Sequence, residues 1–267
     1  MARPLVPDRL WSIIEPLLPP PKPAGSNGRP PVGHREALTG ILFVLRTGIP
    51  WEYLPVEMGC GSGMTCWRRL RDWQAAGIWD KLLHAVLQEL AWSKQIDWSR
   101  ASLDSASLPG KKGGQETGPN PTDRGRAGTK RHVLTDRNGT PLAIRLTGAN
   151  RNDSMMVETM LDAVPPLKGP LGRPRRRPDK LHADKAYDHQ RCRRECRDRN
   201  VIPRIARRGV ESSKRLGRHR WVVERTLAWI SRFRRLTVRY ERRADIHQAF
   251  STLACALIAC RRLERFC

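Results

Sequence analysis

In Ala101-Ser102-Leu103-Asp104 two apolar residues alternate with two polar ones. At the two-residue period of a strand this buries Ala101 and Leu103 on one face and presents Ser102 and Asp104 on the other. The pattern returns in Lys180-Leu181-His182-Ala183-Asp184, where Leu181 and Ala183 face one way and His182 and Asp184 the other. Between the two lie a Gly- and Lys-rich loop (Pro109 to Thr129) and two apolar runs, His132 to Thr135 and Pro141 to Leu146. These flank Asp136-Arg137-Asn138-Gly139, whose Asn-Gly predicts a hairpin. A helix is expected from about Asp153 to Val164, another capped by Asp188, a strand at Val201 to Ile205, and helices near Lys214 to Leu236 and Ile246 to Leu263. Strand, hairpin, helix, strand, helix, strand, helix is a mixed α/β order.

Residues 1–95 read differently. Asp8 is placed to cap a short helix carrying Leu10, Ile13, Ile14 and Leu17 on one face, which Pro19, Pro20 and Pro21 stop. After a Pro/Gly-rich linker to Gly33, a helix from His34 to Thr47 buries Leu38, Ile41, Leu42 and Leu45 before Gly48 and Pro50 end it. Two more are expected, from about Met64 to Gln74 and from about Ile78 to Trp92. Arg68, Arg69 and Arg71 on the third helix suit either a helix-turn-helix variant in a major groove or a solvated basic face, and the long connection from Gly48 to Met64 is unlike the usual short turn. Seven of the nine tryptophans fall in the first hundred residues, mostly in helical patterns that assign them to the core.

The 267 residues, 39% of them apolar, can form a sizeable core. Lys and Arg number 50 against 26 Asp and Glu, a net charge of +24, which favours a polyanionic partner and salt-dependent binding. Of that charge only +3 belongs to residues 1–95, so anion binding is expected mainly of residues 96–267. From Gly172 to Arg220 there are 18 Lys/Arg against 6 Asp/Glu, with Arg175, Arg176 and Arg177 in one run. The longest apolar stretches fall short of the roughly 18 residues that span a bilayer, and the N-terminus has no signal-peptide pattern, so a cytoplasmic protein without a membrane partner is expected. Seven cysteines form no dense disulfide framework. Cys192 and Cys196, with His182 and His189 near, have no second close pair to complete a zinc site and read as thiols.

Three acids stand in recognisable contexts: Asp104, Asp184 and Glu224, the last in Arg220-Trp-Val-Val-Glu-Arg-Thr-Leu-Ala-Trp-Ile. Ser102, Ser105 and Ala106 leave room beside Asp104, and Lys185 follows Asp184 as a cation for phosphate. On its helix Glu224 shares a face with Arg220, Ala228 and Ser231. As a mere surface pair, Glu C-terminal to its cation is the weaker order, worth about 0.2–0.5 kcal/mol at best, whereas an Arg that meets phosphate beside a metal ligand accounts for it. Three carboxylates in a basic chain suit a pair of Mg²⁺ ions acting on a phosphodiester.

At these residues the chain resembles the DDE transposases of bacterial insertion sequences, particularly the insertion-sequence five group of the four/five superfamily. The resemblance rests on the segment from Arg29 to Pro55, on Thr147-Gly-Ala-Asn-Arg-Asn-Asp, on His182-Ala-Asp-Lys-Ala-Tyr-Asp, on Arg220-Trp-Val-Val-Glu-Arg-Thr-Leu-Ala-Trp and on Phe233-Arg-Arg-Leu-Thr-Val-Arg-Tyr-Glu. It implies a ribonuclease H-like mixed-sheet catalytic domain (96–267) preceded by a small all-α, helix-turn-helix-like DNA-binding domain (1–95). It further implies Asp104, Asp184 and Glu224 as catalytic ligands of two Mg²⁺ or Mn²⁺ ions, and cleavage at terminal inverted repeats followed by joining of the 3′-OH ends to target DNA. A homodimer or higher oligomer on DNA is expected. Where the family carries Tyr and Lys around its Arg and Glu, this chain has Gly217 and Ser231, and Arg232, Arg234 and Arg235 are the nearby candidates to replace the lysine. Two other readings remain: a decayed or regulatory DNA-binding protein without catalysis, and a metal-dependent nuclease on the same fold.

Overall fold

The computed structural model describes residues 4–20, 31–210 and 213–264, with side chains of the last segment from residue 219. Four helices come first: α1 (Asp8–Ile14), α2 (His34–Thr47), α3 (Gly63–Ala75) and α4 (Ile78–Trp92). Helices α2 and α4 coincide with the apolar periodicity that predicts them. A left-handed Gly48 (φ 75°) closes α2, its N–H bonded to Val44 O at 2.9 Å. Asp8 is the first residue of α1 and not its cap. Pro7 takes the capping position, and the Asp8 carboxylate pairs with Arg35 of α2.

The sheet follows: β1 (Ala101–Pro109), β2 (Gly118–Pro119), β3 (Ala127–Asp136), β4 (Pro141–Gly148), β5 (Lys180–Ala183) and β6 (Ile202–Ile205). Its order is β2-β3-β1-β5-β6, with β4 also on β3. The pairs β1/β3 and β3/β4 are antiparallel, and β1/β5 and β5/β6 parallel. An antiparallel meander continued by two parallel strands, with helices α5 (Val157–Asp162), α6 (Gln190–Asp198), α7 (Ser213–Ser231) and α8 (Ala244–Leu263) flanking it, is a ribonuclease H-like sheet.

Several boundaries differ from expectation. Strand β1 runs on to Pro109, paired with β3 as far as Gly128, so Asp104 is inside the strand; the expected loop to Thr129 holds the short β2 and is trimmed at its end by the start of β3 at Ala127. The helix expected from Asp153 begins as a 3-10 turn (Asp153–Met156) before α5. Asp188 does not cap α6: His189 stands at that position, while Asp188 binds Arg193 at 2.7 Å and accepts from Arg208 N at 2.9 Å. The hairpin turn is held by Asp136, whose Oδ1 accepts from Asn138 N (2.9 Å) and Thr140 N (2.7 Å). Gly139 follows at φ 85°, and a Cβ there would lie 2.8 Å from Arg225 Nη2.

Arg131 and Lys130, adjacent on β3, point to opposite faces by the pleat. Arg131 donates to Ser231 Oγ of α7, whereas Lys130 binds Asp153 just before α5, so α7 and α5 cover opposite faces. Helix α8 is buried on nearly every side, between β4 and the N-terminal helices α3 and α4. A helix apolar all round needs such cover. Trp73 and Trp79 are fully buried and meet edge to face at 5.6 Å, but Trp11, Trp51 and Trp98 are only partly buried and Trp92 is exposed, because their positions lie at the rim of the helical packing. No described helix is long and apolar enough to cross a membrane.

Candidate active site

The parallel ladder between β1 and β5 pairs Ser102 with His182. Asp104 and Asp184 each follow two residues later, so both leave adjacent strands on the same face and toward the same end. Asp184 directly follows β5 and caps the turn Lys185–Tyr187, its Oδ1 accepting from Ala186 N at 2.8 Å. Asp104 Oδ1 accepts from Ser105 N at 2.8 Å, and its side chain is only 16% exposed. Burial raises the Asp104 carboxyl above the ordinary range, against the pull of Arg220 and the Ser105 N–H; the charge of Asp184 adds to the rise.

Helix α7 supplies the rest. Arg220 Nη2 donates to Asp104 Oδ2 at 3.1 Å and stands 3.5 Å from Glu224 Oε1, one turn along the helix. Burial works against the Arg220 charge, but Asp104 first, then Asp184 and Glu224, outweigh it and hold its pKa above the usual value. One guanidinium therefore feels all three acids. Among the described residues no three His, Cys, Asp or Glu side chains stand close enough to hold one metal ion. Asp104, Asp184 and Glu224 nonetheless offer only carboxylate oxygen, the chemistry that hard divalent cations select, and two of them share a cation in Arg220.

The other residues singled out in the sequence scatter. Lys185 is half-buried directly after Asp184, and its carbonyl accepts from Arg208 Nε at 3.2 Å. Arg68 is exposed on α3, Arg69 half-buried, and Arg71 pairs with Asp72 (2.7 Å) and lies over the Trp67 ring. Arg175 and Arg176 are exposed and Arg177 half-buried on their loop, each with a partner: Arg175 with Asp179 and the Trp98 ring, Arg176 with Asp162 O at 2.6 Å, and Arg177 with Asp162 Oδ1 at 2.6 Å. Gly217 lies outside the residues whose side chains are described. Ser231 Oγ accepts from Arg131 at 3.1 Å, a buried cation that burial brings down to about 10. Arg235 is engaged with Glu241 (2.7 Å) and Ile49 O (3.0 Å), which leaves Arg232 and Arg234 as the exposed candidates beside it. Cys192 and Cys196 are buried free thiols.

Sequence reasoning missed the surroundings of α7. Arg100 meets His219 Nδ1 at 2.7 Å, and Ser102 Oγ donates to His219 O at 3.2 Å. His182 and His219 touch edge to face at 5.0 Å; burial, then the charge of His219, brings His182 down to about 4. Both histidines line a cleft of about 370 Å³ with Arg193, Arg204, Arg207 and Arg220. Its only sequence signal is the charge run, which does not say which arginines converge. Tyr187, the tyrosine of His182-Ala-Asp-Lys-Ala-Tyr, is fully buried within the influence of Asp153, Asp104 and Asp184, and among the described residues its hydroxyl has no hydrogen-bond partner.

Residues 96–259 match the family model described as the transposase DDE domain, and residues 6–83 match that of a putative transposase of the IS4/5 family. The chain belongs to the DDE transposases of the IS4/5 family. It is 54% identical over 153 residues to the putative transposase for insertion sequence element IS402 of Burkholderia cepacia, a match covering 57% of this chain and 72% of that one. An uncharacterized 16.2 kDa protein of the IS402 element from the same organism is 59% identical over 123 residues, 45% of this chain and 84% of that protein. The solved Mos1 transposase paired-end complex with left transposon end aligns over 89% of the transposase and 82% of that chain, at 10% identity and a TM-score of 0.29, too distant for any residue correspondence.

Proposed function

We propose that the transposase binds the terminal inverted repeats of its own insertion sequence, cuts the DNA at their ends, and joins the freed 3′-OH ends to target DNA, with Asp104, Asp184 and Glu224 as the catalytic acids. The observation that carries this reading is the sharing of Arg220 between Asp104 and Glu224 beside a parallel ladder that aligns Asp104 with Asp184. Two Mg²⁺ or Mn²⁺ ions held by the three carboxylates would supply the Lewis acid and the lowered water pKa that hydrolysis of a phosphodiester needs. Arg220 orients Asp104 and Glu224 and offers its remaining N–H groups to a phosphate oxygen, a task for which a planar fork is suited. Lys185 adds positive charge next to Asp184. No histidine is needed to move a proton, and His182, neutral at neutral pH, stays out of the chemistry.

Residues 1–95 select the repeat sequence, through Arg68 and its neighbours on α3, and residues 96–267 cut and join. The pairing of two element ends calls for two copies of the transposase on DNA. The test is Mg²⁺-dependent cleavage of duplexes carrying the terminal repeats by the wild type and by Asp104→Asn, Asp184→Asn and Glu224→Gln. Loss of cleavage in all three with retained gel shifts supports the reading, and near wild-type cleavage by any one removes that residue from it.

A further inference from the structure

Helix α7 carries a second chemical feature on a different face from Arg220 and Glu224. Arg225 lies between Trp221 and Trp229, its guanidinium carbon 4.5 Å from each ring centroid. The three residues are spaced four apart, so they form a continuous stripe about 12 Å long at 1.5 Å per residue. At 100° per residue the stripe is centred about 120° round the helix from the pair Arg220 and Glu224, too far for one phosphate to serve both.

The stripe lines a groove of about 450 Å³ with Arg100, Arg137 and Arg262. Among the described residues no carboxylate lines it. Arg137 reaches Asp97 only at 3.7 Å, while Arg225 and Arg262 both donate to one carbonyl, Asn138 O, at 2.6 and 3.0 Å. Four guanidiniums are thus gathered against two carboxylates that stand outside the groove lining, Asp97 beside Arg100 and Arg137 and Asp136 near Arg225 and Arg262, so positive charge remains in excess. Burial and then the charge of Arg262 lower the Arg225 pKa, and burial and then Arg137 lower that of Arg100. Crowding of this kind is relieved by an external anion. The two rings hold the Arg225 fork flat and shielded, which suits it to an extended row of phosphates.

We propose that this groove binds the phosphate backbone of a DNA duplex segment separate from the strand presented to the carboxylates. Its 12 Å length spans about three to four base-pair rises of ~3.4 Å. Arg100 is shared by the two regions: it lines the groove and bonds His219, which lines the cleft beside Arg220. Two DNA segments would therefore lie on either side of the first turns of the described part of α7. The proposal rests on the transposase reading given above and adds to it the position of a second duplex.

The test uses the full-length transposase and fluorescence anisotropy, with a terminal-repeat duplex, an unrelated duplex of equal length, and the corresponding single strands. Removing two phosphate contacts in Arg137→Gln/Arg262→Gln is expected to lower the slope of log affinity against log salt by about 1.8 for duplex, at about 0.9 per contact. Cleavage at saturating protein is expected to change little. A loss shared by both duplexes assigns the groove to target or any duplex, and a loss confined to the repeat assigns it to the element's end; either supports the proposal. Arg262 also bonds Thr140 Oγ1, so if the double variant melts early, Trp221→Glu, which puts a carboxylate at an exposed position of the groove, gives the same reading. An unchanged salt slope in the variants overturns the proposal, as does a loss restricted to single strands, which would mean stacking of a nucleobase on Trp221. A wild type that binds duplex without cutting it would sink the catalytic reading and leave the groove standing.

Discussion

Arg220 donates to Asp104 Oδ2 at 3.1 Å and stands 3.5 Å from Glu224 Oε1, so one guanidinium ties a strand acid to a helix acid. Asp104 is buried and depends on this partner, whereas Glu224 is 56% exposed and can be served by water. Loss of Arg220 therefore falls chiefly on Asp104.

Arg220→Ala is expected to slow cleavage by about 10²–10³-fold, the scale of removing one group that stabilises developing charge, with a much smaller loss of binding. Since Arg220 opposes the rise that burial imposes on Asp104, its removal lets the Asp104 carboxyl climb further. The acid must be ionised to work, so the acid limb of the pH–rate profile moves to higher pH. Equal losses in binding and cleavage with an unmoved limb would reduce Arg220 to a surface charge.

Asp184→Asn carries a second expectation. The carboxylate caps the turn Lys185–Tyr187 by accepting from Ala186 N, and an Asn oxygen keeps that bond. Cleavage disappears while the thermal midpoint stays near wild type. Asp184→Ala loses both, with a cap worth about 1 kcal/mol. A midpoint drop as large in Asn as in Ala would show that charge and not capping holds the turn.

Glu241 binds buried Arg235 at 2.7 Å and buried His247 at 3.2 Å, and Arg235 reaches Ile49 O in the N-terminal helical part. Glu241→Gln leaves Arg235 without its counter-charge inside the protein. Breaking a buried pair in this way costs about 3–5 kcal/mol. Denaturant unfolding reads it as a lower midpoint, and a change below 1 kcal/mol, on the order of an exposed pair, would contradict the burial of the network.

His132 is fully buried against Thr147, and burial lowers its pKa from 6.5 to about 4. The unfolded chain takes up this proton below about pH 6.5 and the folded chain only near 4. Its contribution to stability is therefore complete above 6.5, falls as the pH drops through that window, and is gone below 4. Melting curves of wild type and His132→Gln from pH 7.5 to 4 should converge toward acid. A constant gap across that range would mean that His132 is already charged in the fold or exposed to solvent.

How much of this was readable beforehand depended on whether the determining partner was near in sequence. Helices α2 and α4 were legible end to end because their apolar positions repeat locally and Gly48 and Gly77 stop or start them. The pairing of Arg220 with Glu224 was legible for the same reason, at i and i+4. The extension of β1 was not: Ser105-Ala-Ser carries no burial pattern of its own, and its conformation is imposed by the ladder with β3. Asp8 and Asp188 looked like caps because their distant partners, Arg35 and Arg208, could not be foreseen. The partners of Arg176 and Arg177 within the charge run were hidden for a similar reason, since the acceptors Leu161 O and Asp162 lie in a separate helix.

The burial of α8 bears on how the molecule is made. Residues 244–263 fill the space between β4 and the helices α3 and α4, and 15 of the 20 are buried. A ribosome delivers the chain from its N-terminus, so α3, α4 and the sheet emerge with that space open and their apolar surfaces facing water until the last helix arrives. Closure of the core waits for a segment synthesised after Asp104, Asp184 and Glu224 have all left the tunnel. A nascent or truncated product lacking residues 244–263 would thus hold every proposed catalytic acid and no finished scaffold to align them, and the cell would meet it as a substrate for proteases before it met it as an enzyme.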